Sequence, residues 1–479
     1  MKANLIALTL FTLCASQALA ESQDELYHHL EPKLSGHLLA EVPSQPFAAS
    51  GVVKRPFFDY FNWQNFIALM WPSKANSHGE PFEPNNTAVF GHYSDGKLPV
   101  WLGWKSAFNL FPQNGDKPVA WTARNGTAIC KSGDYEGQPV LVSGSKFSTV
   151  ADELDQAFGG PLVDQTGLFT RYEVRVNKVE YDFIRENGYY NRSEWPNEAI
   201  IMPSGNGKDK EGVIEVKAAW RDLSKVNPKF HSRFFTLDNA VVSVPGTCDD
   251  DKNAMMRCDC TTTKVGLVGF HIAQKTPNFP QWVWATFEQV DNLGEDPSTP
   301  AEMTPSYYDP TLYQREASVL RANPAQHPGA SRVPEPGDFS NTTPINVVRL
   351  SQIPDTPLRE DPNKLGYSTT DMNTRYRNLL KGTVWEHYQL IGSQWPQLPS
   401  ISAKTPTDGD FGCEDGTPVQ AGGMPFPECQ LANITMETYH QYDSCMNCHQ
   451  GAQRAGADFS WILATRAYDD TNSKGNDND

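Results

Sequence analysis

Ser444-Cys445-Met446-Asn447-Cys448-His449 spells C-x-x-C-H. Two thiols three residues apart can add to the two vinyl groups of one haem, and the adjacent imidazole then falls beneath the iron as its proximal ligand. The pattern therefore predicts one covalently bound haem c, with Cys445 and Cys448 as attachment sites and His449 as the iron ligand. With 9 Cys and 11 His in 479 residues, such a run arises by chance on the order of a few times per thousand chains. Other thiol chemistry lacks its context: Cys258-Asp259-Cys260 has the wrong spacing for a second zinc half-site, and no βαβ setting suits a thioredoxin-like pair.

The group opposite His449 decides the chemistry. No Met or His follows His449, so a distal ligand must come from upstream or be absent. Met446, Met436 and His440 begin on the proximal side. Met424, in a Gly-Pro-rich loop, and His271, in a strongly apolar stretch, are the two candidates; the bland alternatives are a gap-filling methionine and a satisfied core histidine. A saturated iron would carry electrons. An open one would admit peroxide or another small substrate, with His271 as acid/base, Lys275 as electrophile or anion binder, and Trp282 or Trp284 as radical relays. A haem-based redox or gas sensor is a third possibility. No G-x-S-x-G, H-E-x-x-H or G-x-x-x-x-G-K-[ST] supports hydrolase or nucleotide chemistry.

Haem ligation through thioethers needs an exported chain. Lys2, an apolar run over residues 5–13 and Ala18-Leu19-Ala20 read as a Sec-type signal peptide cleaved after Ala20, which places the protein in a periplasm. No other apolar run is long enough to span a membrane. The net charge of −17 argues against nucleic acid or an anionic membrane and favours a basic redox protein as electron partner. Apart from Cys445, Cys448 and Cys14, which falls in the discarded signal segment, six cysteines allow three disulfides: Cys413 with Cys429, Cys248 with Cys258 or Cys260, and the leftover with Cys130.

About 460 mature residues can bury a sizeable core. Apolar spacing predicts helices over 57–71, 101–111, 179–186, 370–395, 433–442 and 458–468. Alternation predicts strands over 139–142, 171–177, 199–202, 213–218, 240–244, 264–272, 281–288 and 345–350. The two most hydrophobic, 264–272 and 281–288, should be antiparallel neighbours at the sheet centre. The expected fold is α+β: an irregular segment over 21–54, a mostly antiparallel β-rich main domain with peripheral helices over 55–399, and a small helical haem-binding segment over 400–468. A disordered tail follows over 469–479.

Three segments carry a resemblance. They are W-x-x-F-x-A-L-x-W-P at 63–72, then G-x-H-I-x-x-K-T and W-x-W-A-T-F-E-x-x-D-N within 266–292, and finally M-E-T-Y-x-Q, S-C-M-x-C-H and D-F-S within 433–463. In these the chain resembles uncharacterised bacterial cytochrome c family proteins over most of its mature length. The resemblance implies a periplasmic monohaem protein and specifies no substrate.

Overall fold

A computed structural model describes residues 30–43, 55–74, 84–93, 97–112, 114–123, 130–135, 138–141, 160–249, 257–311, 339–340, 342–350, 352–355, 368–395, 431, 433–441 and 444–469, with the two-residue strands at 325–326, 413–414 and 417–418. The expected signal peptide, Met424 and the tail from 470 onward lie outside the described residues, as do the side chains of Cys413 and Cys429.

The centre is a seven-stranded sheet in which every pairing is antiparallel. Its strands are β1 (Lys105–Ser106), β2 (Arg171–Val176), β3 (Ile214–Asp222), β4 (Thr236–Ser243), β5 (Cys260–Thr276), β6 (Phe279–Gln289) and β7 (Tyr388–Gln394). The order is β1-β2-β3-β5-β6-β7, and β4 pairs with the first half of β5. As the apolar pattern predicts, β5 and β6 are central neighbours. Both faces of this pair are covered, which is why the sequence runs apolar there instead of alternating.

One face packs against α1 (Arg55–Leu69), buried at every residue after Arg55. Trp63 of α1 stacks on Tyr376, ring centroids 4.9 Å apart, and meets Phe287 of β6 edge-on at 5.0 Å. Val216, Ala218 and Trp220 of β3 and Phe270 and Ile272 of β5 point into this core. At the shift in register between Ala219 and Trp220, Val268 is the extra residue on β5. Such a bulge changes the parity of the residues that follow. Gly269, His271 and Ala273 therefore face the opposite side of the sheet.

After α2 (Ala107–Leu110), α3 (Lys178–Asn187) and α4 (Thr369–Leu379), the carboxyl-terminal segment with α5 (Cys445–Arg454) and α6 (Trp461–Arg466) covers that opposite side. The docking is polar as well as apolar. Asn433 Nδ2 donates to Thr286 Oγ1 and Phe287 O, Ile434 N–H to Glu288, and Tyr172 Oη–H to Thr435 O. Gly269 makes the close approach possible, since a Cβ there would sit 2.2 Å from Thr435 Oγ1.

Several sequence expectations need correction. Of the stretch expected as a helix over 433–442, the described residues 433–441 form turns: Tyr439 and Gln441 spend their polar groups on Pro161 O and Val348 O, and these tertiary bonds override the local period. The 370–395 stretch is α-helical only over Thr369–Leu379, with a 3-10 turn at Val384–His387. Gly382, at φ 84°, breaks it, and residues 388–394 join the sheet as β7. The 101–111 stretch divides into a 3-10 turn at Val100–Gly103, strand β1 and a one-turn helix at Ala107–Leu110. Residues 199–202 are irregular, and the 345–350 strand shrinks to Asn346–Val347.

Two disulfides join Cys130 to Cys260 and Cys248 to Cys258, one of the expected pairings. No helix among the described residues is long and apolar enough to cross a membrane.

Candidate functional site

Cys445 opens α5, its N–H donating to Gln394 Oε1 at the end of β7. Helical spacing then brings Cys445, Cys448 and His449 to one side of the helix. Neither sulfur is in a disulfide. Burial, reinforced by the nearby Glu437 charge, pushes the Cys445 thiol well above its usual range, so it stays protonated. Gly451 lets α6 close in, because a Cβ there would come within 2.7 Å of the Trp461 ring. Trp461 Nε1–H donates to Cys448 O at 3.2 Å.

His449 is fixed on two sides. Its Nδ1–H donates to Phe459 O at 2.7 Å, and its ring lies against Trp284, centroids 4.2 Å apart. Burial lowers its pKa to about 4, against the opposing pull of the Phe459 bond. The imidazole is therefore neutral at pH 7, with Nε2 left to bind a metal. A histidine ligand is ordinarily oriented in this way, by a carbonyl on its other nitrogen.

Cys445, Cys448 and His449 border a cavity of about 600 Å³ between the sheet and the carboxyl-terminal segment. Its sheet wall is two cross-strand rows, Val174–Lys217–His271 and Glu215–Ala273–Trp284. Leu431, Trp461 and Ile462 close the other side. The volume lies within the range of roughly 300–1,000 Å³ usual for cofactor pockets. Two thiols at attachment spacing, a neutral oriented imidazole and mainly apolar walls fit a haem.

His271 lines the same cavity, its Nε2 3.4 Å from Glu437 Oε2. Burial opposes the Glu437 charge, but His271, Lys217 and the Asn433 N–H outweigh it and hold the carboxyl below its ordinary range. Of the other candidates, Trp282 and Trp284 stack 5.9 Å apart and lead towards His449. Lys275 does not line the cavity: its ammonium is wholly buried against Asp458, so its charge is already matched and it is no exposed electrophile or anion binder.

Sequence reasoning missed Lys217, Glu215 and Glu437 as cavity residues; His440, expected on the proximal side, also lines the cavity. The signal for Lys217 and Glu215 was their place in an alternating strand. It missed, too, that Glu180, Glu215 and Asp458 form a buried carboxyl cluster. Burial, with mutual repulsion, raises Glu180 well above the carboxylate range and Glu215 to about 7. No known family model, curated protein or solved structure matches this chain.

Proposed function

We propose that the chain is a monohaem c-type cytochrome of the periplasm, its haem c held by thioethers at Cys445 and Cys448 with His449 as proximal iron ligand. The observation that carries this reading is the cavity of about 600 Å³ bordered by two thiols and a neutral imidazole from one helix. Cys445 and Cys448 would hold the haem through thioethers, each S–H adding across one vinyl group, sulfur to one carbon and hydrogen to the other. The addition needs no oxidant, but both sulfurs must be thiols. When bound, the haem supplies one-electron chemistry at iron. The protein's residues orient the imidazole through Phe459 O, brace it with Trp284 and exclude water with the apolar walls. A basic periplasmic redox protein would be the electron partner of this acidic chain.

His271 is the distal candidate supported by position, since it shares the cavity with His449. Its pairing with Glu437 also favours a second reading, an oxidoreductase with an open iron. There the dyad would hold and return a proton on a small substrate.

The test is expression with a haem-ligation system, followed by haem staining of the denatured chain. One haem per chain is expected, lost when Cys445 and Cys448 are both replaced by Ala. A wild-type chain without covalent haem would overturn the proposal. Spectra with carbon monoxide separate the two readings: a low-spin iron indifferent to it excludes the open site, and a high-spin iron that binds it excludes a saturated carrier.

A further inference from the structure

We infer that the buried Lys275–Asp458 ion pair is a positioning device that holds Phe459 O against His449 Nδ1 and so tunes this imidazole as an iron ligand. The inference rests on the c-type haem proposed above.

The backbone carries the first argument. Asp458 and Phe459 lie at φ 48° and 67°, in the left-handed region that side chains other than Gly, Asn and Asp rarely adopt. Only four non-glycine residues among those described have positive φ, and a third, Trp282 at 71°, belongs to the same core cluster as Phe459. Strain concentrated in one place persists only where the surroundings over-determine it. Here it aims one carbonyl at one imidazole, 2.7 Å away.

The second argument is what over-determines it. Lys275 Nζ and the Met202 N–H both donate to Asp458 Oδ2, the latter at 2.6 Å. Lys275 is the one β5 residue between the pairs Gln274–Val283 and Thr276–Phe279, an irregularity that leaves Pro280, Gln281 and Trp282 between the same pairs on β6. Bulges of this kind re-aim a side chain. Both partners are wholly buried. A buried ion pair is a poor stabiliser, because well-packed apolar residues of similar volume often do as well. Its value lies in fixing geometry. With the pair intact, Asp458 is pinned from β5 and from residue 202, and the next carbonyl cannot turn away from His449.

A firm Nδ1–H···O bond makes the imidazole a stronger donor, which favours oxidised iron and lowers the potential. The experiment uses the haem-loaded protein and the variants Asp458→Asn, Lys275→Met and Lys275→Arg. Asn keeps the preference for left-handed backbone while losing the charge, so Asp458→Asn separates charge from conformation.

Both charge-removing variants are expected to raise the reduction potential, up to a tenfold change in the reduction equilibrium, about 59 mV for one electron. Lys275→Arg should stay near wild type, and, if the iron is open, the ferrous iron–histidine stretching frequency should fall in both charge-removing variants as well. If the pair acted only through its charge, Asp458→Asn would raise the potential and Lys275→Met would lower it; shifts of opposite sign, or none, overturn the inference. A wild-type chain without covalent haem would instead overturn the cytochrome itself. If neither charge-removing variant folds, exchange of the His449 Nδ1 proton in the wild type decides. Strong protection supports the clamp, and exchange at the rate of an exposed imidazole overturns it.

Discussion

The Trp284 indole and the His449 imidazole lie 4.2 Å apart, centroid to centroid, with their planes tilted by 48°. Trp284 belongs to a central strand and His449 to the helix docked upon it, so this contact ties the sheet directly to the proposed iron ligand. Trp284→Ala should cost about 3–5 kcal/mol of stability, whereas Trp284→Phe should cost much less. Urea unfolding followed by far-ultraviolet circular dichroism checks the order. Equal losses would show that the ring is not packed as described.

Glu215 gives the stability a pH dependence of definite sign. Burial raises its carboxyl from 4.5 to about 7 in the folded state, so the folded chain binds the proton more tightly than the unfolded one. The stability this confers is complete below pH 4.5 and is lost as pH rises through about 7. Between pH 5 and 8 the urea midpoint of the wild type should fall more steeply than that of Glu215→Gln. Parallel profiles would mean that Glu215 titrates normally.

Gly269 and Thr435 form a steric lock. Gly269→Ala should destabilise the protein by about 1–3 kcal/mol through overpacking, and adding Thr435→Ala, which removes the clashing oxygen, should recover part of the loss. A double-mutant cycle measures the coupling. Simple additivity of the two losses would refute close docking at this point.

The two disulfides should differ in weight. Cys130 and Cys260 are 130 residues apart in sequence and Cys248 and Cys258 only 10. Loop-closure entropy assigns about 5 kcal/mol to the first and about 3 kcal/mol to the second. Replacing each pair by serines and comparing denaturation midpoints tests the order, and a larger loss from the shorter loop contradicts it.

What the sequence discloses of this architecture follows the range of the forces involved. Alternation in Arg171–Val176 and the capped period of Lys178–Asn187, with Asn177 at one end and Gly188 at the other, are local, and both elements form where local rules put them. Residues 433–441 and 388–394 depart from those rules because their partners, Thr286, Glu288 and β6, are remote in sequence. The site divides the same way. Cys445, Cys448 and His449 announce themselves by adjacency. His271 and Trp284 stand out as residues, but only the sheet register makes them neighbours of His449. Lys275 and Asp458, 183 residues apart, carry no local mark of their pairing.

The parity change at Val268 reaches beyond packing. A strand has only two sides, so a slip of one position along β5 would turn His271 and Ala273 into the α1 core and present Phe270 and Ile272 to the cavity. Deletion or insertion of one residue near 268, well away from both cysteines, would erase the chamber's chemistry while leaving its strands intact. Mutational tolerance in this protein should therefore be governed by counting along the strand as much as by distance from the thiols.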